Sequence, residues 1–363
     1  MWTRSERFRA DTDGPSDSAN GGLGLAVTMR DVAKHAGVSP KTVSNVLSGF
    51  PHIRETTRSR VLASVEELGY QLNLSARNFR AGRTGIIGLA VPELSLPYFA
   101  ELADAVINAA EQHGLTVMIE QTGARREREL TVLSSERGQL VDGLLFSPLA
   151  LGPADVDHLR TTTPLVLLGE RIFRGPVDHV AIDNVAGTQA AVEHLIAAGR
   201  RRIAVLGVHP GEEAGTAAIR YGAYLEAMAA AGLKPAKKLA MPAGPWHRST
   251  GADAMEQLLA GGKRFDAVIG LNDTLALGAI RVLTRHGLRI PDDVAVAGFD
   301  DIDEARYSTP TLTTVDPSRK EIARLAVKLL VERMAGDRTE WREITAPYAL
   351  RVRESTTGTA ANA

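Results

Sequence analysis

From Gly85 onward the chain repeats one pattern, and that pattern constrains the fold more than any other feature of the sequence. Short apolar runs recur at 86–91 (IIGLAV), 115–120 (LTVMIE), 143–147 (GLLFS), 165–168 (LVLL), 203–207 (IAVLG), 267–270 (AVIG) and 294–298 (VAVAG). Runs this short and this continuously apolar are strands buried on both faces, as in parallel sheets. Longer amphipathic stretches such as 99–112 and 186–198 separate them and have helical spacing. Strands alternating with helices imply a doubly wound α/β fold. The pattern continues for about 270 residues, more than one sheet usually takes, so two similar subdomains with a cleft between them are expected. A chain of 363 residues with 44% hydrophobic content can bury cores of that size.

The stretch ahead of this body, 28–48, reads TMRDVAKHAGVSPKTVSNVLS. Thr28 with Asp31 three residues later is a capping box, and Val32, Ala33 and Ala36 follow helical spacing until Gly37 ends the helix. Ser39 then caps a second helix, with Pro40 at its first position, where a missing amide costs nothing. Val43, Val46 and Leu47 give this helix an apolar face, and its other face carries Lys41, Thr42, Ser44 and Asn45. Two capped helices around a tight turn, the second with a polar N-terminal face, form a helix-turn-helix whose second helix reads the major groove. A third helix is expected over 55–68, with Val61, Leu62, Val65 and Leu68 inward.

Net charge is only -1, but residues 27–83 hold nine Lys and Arg against four Asp and Glu, which leaves the remainder acidic. A basic module on an acidic body suits nucleic-acid binding through the module alone. There is no cysteine, so thiol nucleophiles and thiolate metal sites are excluded. The nine histidines form no His-x-x-x-His pair. No serine elbow, P-loop or strand-linked G-x-G-x-x-G occurs, so neither an enzyme nor a metal site is expected. No apolar run reaches eighteen residues and no signal peptide is present, which points to a cytoplasmic protein without membrane contact.

Residues 1–26 are charged, then rich in Gly, Ser and Asp, and are expected to form a disordered tail. Residues 73–81 (NLSARNFRA) have the makings of a two-turn helix capped by Asn73, too short to be stable alone. Taken together, DVAKHAGVSPKTVSNVLSG, TRSRVLASVEELGYQLN and SARNFRAGRTGIIGLAVP resemble the DNA-binding headpiece, hinge and first core strand of the lactose-repressor (LacI/GalR) family of bacterial transcription regulators. The resemblance runs to about Glu354. It implies a small all-α helix-turn-helix headpiece (27–72), a hinge (73–83), and a periplasmic-binding-protein-like α/β core (84–356) of two doubly wound parallel-sheet subdomains, with 357–363 as a flexible end. The first subdomain would comprise about 84–184 and 313–346, and the second 185–312 and 347–356. In the headpiece the resemblance makes Pro40, Lys41 and Asn45 base readers, while Thr28, Arg30, Ser39 and Thr42 suit phosphates. In the hinge it brings Asn73, Ala76 and Arg77 to the DNA, and Phe79 becomes a minor-groove wedge where the family usually has leucine. Arg54 stands where the family usually has a capping hydroxyl, which weakens the start of the third helix.

Ligands of open α/β sheets bind at the loops beyond the carboxyl ends of strands. Several such loops carry groups suited to a small polar ligand: Tyr98 and Phe99, Arg220, Trp246, Asn272 and Asp300, with Glu170 and Asp183 as weaker candidates. An aromatic face stacks on the C–H side of a sugar or on a flat base, while Asp, Asn and Arg make directed bonds to hydroxyls. Arg220, Trp246, Asn272 and Asp300 also fall on positions resembling those of sugar-responsive family members. Each has a duller alternative: Asp273 and Asp300 as helix N-caps, Trp246 as core, Arg220 as a surface ion pair. The resemblance implies a repressor that binds pseudo-palindromic operator DNA as a homodimer, with a tetramer left open. It would use no cofactor and respond to a small-molecule effector, a sugar by first expectation. The alternatives are a purine- or nucleoside-responsive corepressed regulator, or a sugar-binding module without an operator.

Overall fold

The computed structural model describes residues 27–47, 50–70, 83–134 and 140–358, which form parts of two compact units, 1–74 and 75–363. The expected tail 1–26, the hinge residues Asn73, Ala76, Arg77 and Phe79, and the end 359–363 lie outside the described residues.

In the first unit, α1 (Met29–His35), α2 (Pro40–Leu47) and α3 (Glu55–Glu67) enclose a core of Val32, Ala33, Ala36, Val43, Val46 and Val61. The capping box forms: the Thr28 amide donates to the Asp31 carboxylate at 2.8 Å, and the Asp31 amide donates to the Thr28 hydroxyl at 3.4 Å. Hydrogen bonds from Thr28 hold the Asp31 carboxyl below its ordinary pKa. Gly37 turns the chain at φ 64°, and the Ser39 hydroxyl accepts from the Thr42 amide at 3.1 Å to cap α2. No side chain caps α3 at Arg54. Leu62 departs from the expected inward face, for it is 48% exposed. One helical step of 100° beyond Val61 carries Leu62 off the core stripe, and Ser64 is buried there instead, bonded to the Arg60 carbonyl and the His35 ring.

In the second unit the seven apolar runs become β1 (Ile86–Val91), β2 (Thr116–Gln121), β3 (Gly143–Phe146), β4 (Leu165–Leu168), β6 (Ile203–Val208), β8 (Ala267–Gly270) and β9 (Ala295–Phe299). Five more strands join them: β5 (Asp178–Ile182), β7 (Ala240–Pro242), β10 (Thr313–Asp316), β11 (Glu343–Ala346) and β12 (Ala349–Arg351). They form two six-stranded sheets with the orders β11-β5-β4-β3-β1-β2 and β12-β10-β9-β8-β6-β7. Pairing is parallel except where β12 runs against β10.

Each sheet is the centre of one lobe. The chain crosses from the first lobe to the second at Asp183, returns between Asp316 and Arg319, and crosses again between Ala346 and Ala349. The boundary expected near Thr313 therefore moves. Thr313, Thr314 and Val315 are buried and pair with β9, so β10 belongs to the second lobe, and the return comes at Ser318, where φ is 56°.

The helices that frame the lobes are α4 (Pro97–Glu111), α5 (Arg126–Val132), α6 (Asn184–Ala197), α7 (Thr216–Ala230), α8 (Arg248–Ala260), α9 (Asp273–Arg285), α10 (Glu304–Tyr307), α11 (Arg319–Met334) and α12 (Glu354–Thr357). Helices α8 and α9 cross with backbone against backbone. A Cβ on Gly251 would stand 2.5 Å from the Leu275 carbonyl oxygen, and one on Gly278 would stand 2.7 Å from the Ala252 amide nitrogen and against the Arg248 carbonyl. Backbone cannot swing aside as a side chain can. Gly278→Ala is therefore expected to cost about 3 kcal/mol, the upper end for overpacking, and a urea melt that shifts by less than a third of that would show that the two helices can separate.

Candidate functional site

Both lobes present strand-end loops to a shared cavity of about 470 Å³. All six residues singled out for a ligand line it: Tyr98, Phe99, Arg220, Trp246, Asn272 and Asp300. Pro97 starts α4 after the β1 loop and brings Tyr98 and Phe99 to the cavity, their rings edge to face at 5.2 Å. Burial, with the nearby Glu170 and Asp300 carboxylates, pushes the Tyr98 hydroxyl well above its ordinary pKa, so it remains protonated.

Arg220 lies on α7 and is only 3% exposed. Its Nε donates to Asn184 Oδ1 at 2.6 Å and its Nη1 to the Leu271 carbonyl at 2.5 Å, while both Nη atoms reach Asp300 Oδ1 at 3.4 Å. The guanidinium lies over the Phe299 ring, 3.5 Å from its centroid, a cation-π contact that fixes its plane. Arg220 thus pairs with a buried acid in the cleft, and the surface-pair alternative falls away. The Trp246 indole donates to the Gly207 carbonyl at 3.0 Å, which holds its ring at the cavity wall while its edge packs on both core clusters of the second lobe.

The helix cap falls one residue earlier than Asp273. Asn272 is the N-cap of α9: its Oδ1 accepts from the Leu275 amide at 2.9 Å and its Nδ2 donates to the Trp246 carbonyl at 3.2 Å. Asn272 therefore braces the Trp246 loop as well as lining the cavity. Asp273 is fully buried, accepting from the Ile302 amide and the Thr314 hydroxyl. Burial, reinforced by Asp300, pushes its carboxyl well above its ordinary pKa. Asp300 caps no helix and has φ 118°, a conformation that strains a side-chain-bearing residue. Asp183 lies at the lobe crossing and caps α6 through the Ala186 amide at 3.0 Å.

Glu170, one of the two weaker candidates, also lines the cavity, whereas Arg171, Glu212 and Thr216 carry no expectation from sequence. Glu170 accepts from the Ile182 amide at 3.2 Å and, across the cleft, from the Thr216 hydroxyl at 2.8 Å. Next to it, Arg171 reaches from the first lobe to Glu212 at 2.6 Å and to the Ala214 carbonyl at 2.7 Å. Gly215, at φ 115°, admits that approach, since a Cβ there would stand 2.6 Å from Arg171 Nη1. The only local signal for these contacts is Gly169 ending the β4 run.

Burial pushes the Asp300 carboxyl up to about 6, against the pull of Arg220 and Arg319. An acid raised in the folded state adds stability as pH falls from about 6 toward its unfolded value near 4, and that gain is absent at pH 7. Ligand binding runs the other way when it needs the ionised carboxylate. Its affinity is expected to drop about tenfold between pH 7 and pH 5, following the ionised fraction, and calorimetric titrations that stay flat over that interval would exclude Asp300 as an ionised acceptor.

In the first unit, Arg30, Pro40 and Lys41 are exposed on the helix-turn-helix, and Thr42 and Asn45 are partly so. The Ser39 and Thr42 hydroxyls lie 2.9 Å apart, and the Thr28 hydroxyl donates to Asp31 at 2.6 Å. Among the described residues no group of three or more His, Asp and Glu could hold a metal, and no helix is long and apolar enough to cross a membrane.

A helix-turn-helix unit joined to a two-lobed core that closes on a cavity defines a ligand-responsive DNA-binding regulator. The family models agree: residues 28–73 match bacterial regulatory proteins of the lacI family and residues 192–356 a periplasmic binding protein-like domain. Among curated relatives, the HTH-type transcriptional repressor PurR of Erwinia tasmaniensis is 34% identical over 87% of this chain and 93% of its own length. Among solved structures, a transcriptional regulator of LacI family from Sanguibacter keddieii is 51% identical, with a TM-score of 0.71 over 76% of this chain and all of that one. The transcriptional regulator CelR in complex with cellobiose is 31% identical, with a TM-score of 0.67 over 91% of this chain and 99% of that one. The chain belongs to the lacI family of bacterial transcription regulators, with a DNA-binding headpiece and an effector-binding core, and its relatives are regulators rather than enzymes.

Proposed function

We propose that this regulator is a repressor that binds a pseudo-palindromic operator as a homodimer in the cytoplasm and leaves it when a sugar occupies the cleft between the core lobes. The observation that carries this reading is the convergence of Trp246, Arg220 and Asp300 on one cavity, an aromatic face beside a buried ion pair. Such a combination stacks on a sugar ring and orients its hydroxyls. The CelR–cellobiose complex supports a sugar in this fold.

On the DNA side, Lys41 suits guanine O6 and N7, Asn45 suits adenine N6 and N7, and Pro40 sits beside them at the start of the recognition helix. Thr28, Arg30, Ser39 and Thr42 fall to phosphates, where contacts position without specifying. Asn73, Ala76, Arg77 and Phe79 would follow as a hinge that pairs with its copy and wedges Phe79 into a minor-groove step. One headpiece spans too few base pairs for specificity, so a twofold pair is required.

The test is selection of random duplex DNA by the purified chain at near-physiological salt. An enriched inverted repeat, released on addition of a sugar from a panel of mono- and disaccharides, is the expected result. Binding that stays purely salt-sensitive, with no motif at any stage and in any sugar, would overturn the operator reading.

A further inference from the structure

Charge in the cleft narrows the kind of molecule it accepts. Four carboxylates line the cavity, Glu93, Glu170, Glu212 and Asp300, against two guanidiniums, Arg171 and Arg220, no lysine, and one imidazole, His209, whose Nδ1 lies 2.6 Å from Glu212 Oε2. Both cations are already committed to the protein. Arg220 is spent on Asn184, the Leu271 carbonyl and Asp300, and Arg171 on Glu212 and the Ala214 carbonyl. Anion sites need the reverse, a free guanidinium fork or open amides at a helix start. Helices do begin at this cleft, but at α4 Pro97 has no amide to offer, at α9 the Asn272 side chain takes the Leu275 amide, and at α7 the Glu170 carboxylate already sits on the Thr216 hydroxyl. What the cavity leaves open is an acceptor: among the described residues no donor reaches Asp300 Oδ2, while Arg220 holds Oδ1. The Trp246 ring and the Tyr98 hydroxyl line the same cavity.

We infer that the effector is an uncharged polyhydroxylated molecule, and that the cleft turns away its phosphorylated or carboxylated counterparts. The inference rests on the reading of this cavity as the effector site. A neutral hydroxyl donates to Asp300 Oδ2 without disturbing any ion pair. A phosphate must either lie beside the Glu170 and Asp300 carboxylates or take Arg171 from Glu212, which leaves Glu212 only the His209 ring.

Calorimetry on the full chain at 0.15 M salt tests this with matched probes: glucose, ribose, cellobiose and adenosine against glucose 6-phosphate, ribose 5-phosphate and adenosine monophosphate, with inorganic phosphate as the bare anion. The neutral member that binds is expected to do so about 100-fold more tightly than its phosphate, the scale of one uncompensated charge in a partly buried site. Glu212→Gln frees the Arg171 guanidinium and is expected to raise affinity for inorganic phosphate about tenfold over the unmodified chain. A phosphorylated probe that binds the unmodified chain as tightly as its neutral partner would overturn the inference and leave the cleft in place as the site. Sugar binding that survives Trp246→Ala and Asp300→Asn unchanged would instead place the ligand elsewhere and remove the reading beneath it.

Discussion

Asp178→Ala is expected to destabilise the core by about 3 to 5 kcal/mol, the range for removing one partner of a buried ion pair. Asp178 opens β5 with no exposure at all. Its carboxylate takes Arg333 Nε at 2.7 Å and Nη2 at 3.0 Å, together with the Arg342 amide at 2.8 Å and Nη2 at 3.1 Å. Arg333 is itself buried under the Trp341 ring and ties the carbonyls of Asp337, Thr339 and Glu340, so the acid anchors the whole turn between α11 and β11. Without the carboxylate the guanidinium is left charged in the interior. Replacing both partners, as in Asp178→Leu with Arg333→Met, is expected to cost less than the single change, because no charge is stranded. Burial pushes this carboxyl up, but the hydrogen bonds from Arg333 and Arg342 outweigh it and hold it below its ordinary pKa. An acid lowered in the folded state stabilises above its unfolded pKa near 4, and that contribution is lost as pH falls below it. Urea melts of the core at pH 7 and pH 3 check both statements, and a single variant within 1 kcal/mol of the parent at pH 7 would show that Arg333 finds another partner.

The same residue shows why part of the fold was not legible in the sequence. Six of the seven strands read from the chain are apolar runs buried in their sheets, and β2 alone of the seven lies at a sheet edge and is largely exposed, whereas β5 begins with Asp178 and His179, both buried yet polar. A local pattern cannot show that an arginine 155 residues later will neutralise the acid. Strand β10 is threonine-rich for a related reason: the Thr314 hydroxyl is spent on Asp273 and the Thr313 hydroxyl on the Arg353 carbonyl, bonds that exist only in the folded lobe. Its omission displaced the lobe boundary. The helix-turn-helix was legible because its determinants are local, a capping box and a second cap within fifteen residues. Among the cleft residues, Trp246 and Asp300 could be read from their places at strand ends, whereas Arg220 lies within α7 and reaches the cleft from inside a helix. The clasp of Arg171 on Glu212 and Ala214 could not, since it exists only when two lobes meet. The cap on α9 was misplaced by one residue because Asn272 and Asp273 are equally good caps in sequence, and only burial of Asp273 decides between them.

Asp300→Gly is expected to leave a protein that folds as well as the parent, binds operator, and no longer responds to its effector. Asp300 holds φ 118° and Asp301 φ 48°, values that favour glycine, and a strained residue of this kind costs about 1 to 3 kcal/mol. Glycine removes that strain, which offsets the loss of the stretched pair with Arg220, and Arg220 keeps Asn184 and the Leu271 carbonyl. The chain thus tolerates strain at a point where folding does not require it, and what the strain secures is the aim of one carboxylate into the cavity. A hydrogen bond from a ligand to a charged acceptor contributes about 1.5 to 3 kcal/mol, so affinity should fall roughly 10- to 150-fold. Coupling between effector and operator is commonly about 1 to 3 kcal/mol and reciprocal, so a ligand that no longer binds no longer shifts the DNA equilibrium. Asp300→Asn keeps the shape but not the charge and separates the two effects: strain stays, response weakens, and the pH dependence between 5 and 7 disappears. The measurement is operator release by the sugar that binds the parent, followed by fluorescence anisotropy alongside thermal melting. A glycine variant that melts where the parent does and still releases DNA at the parent's sugar concentration would show that Asp300 shapes the loop without touching the ligand.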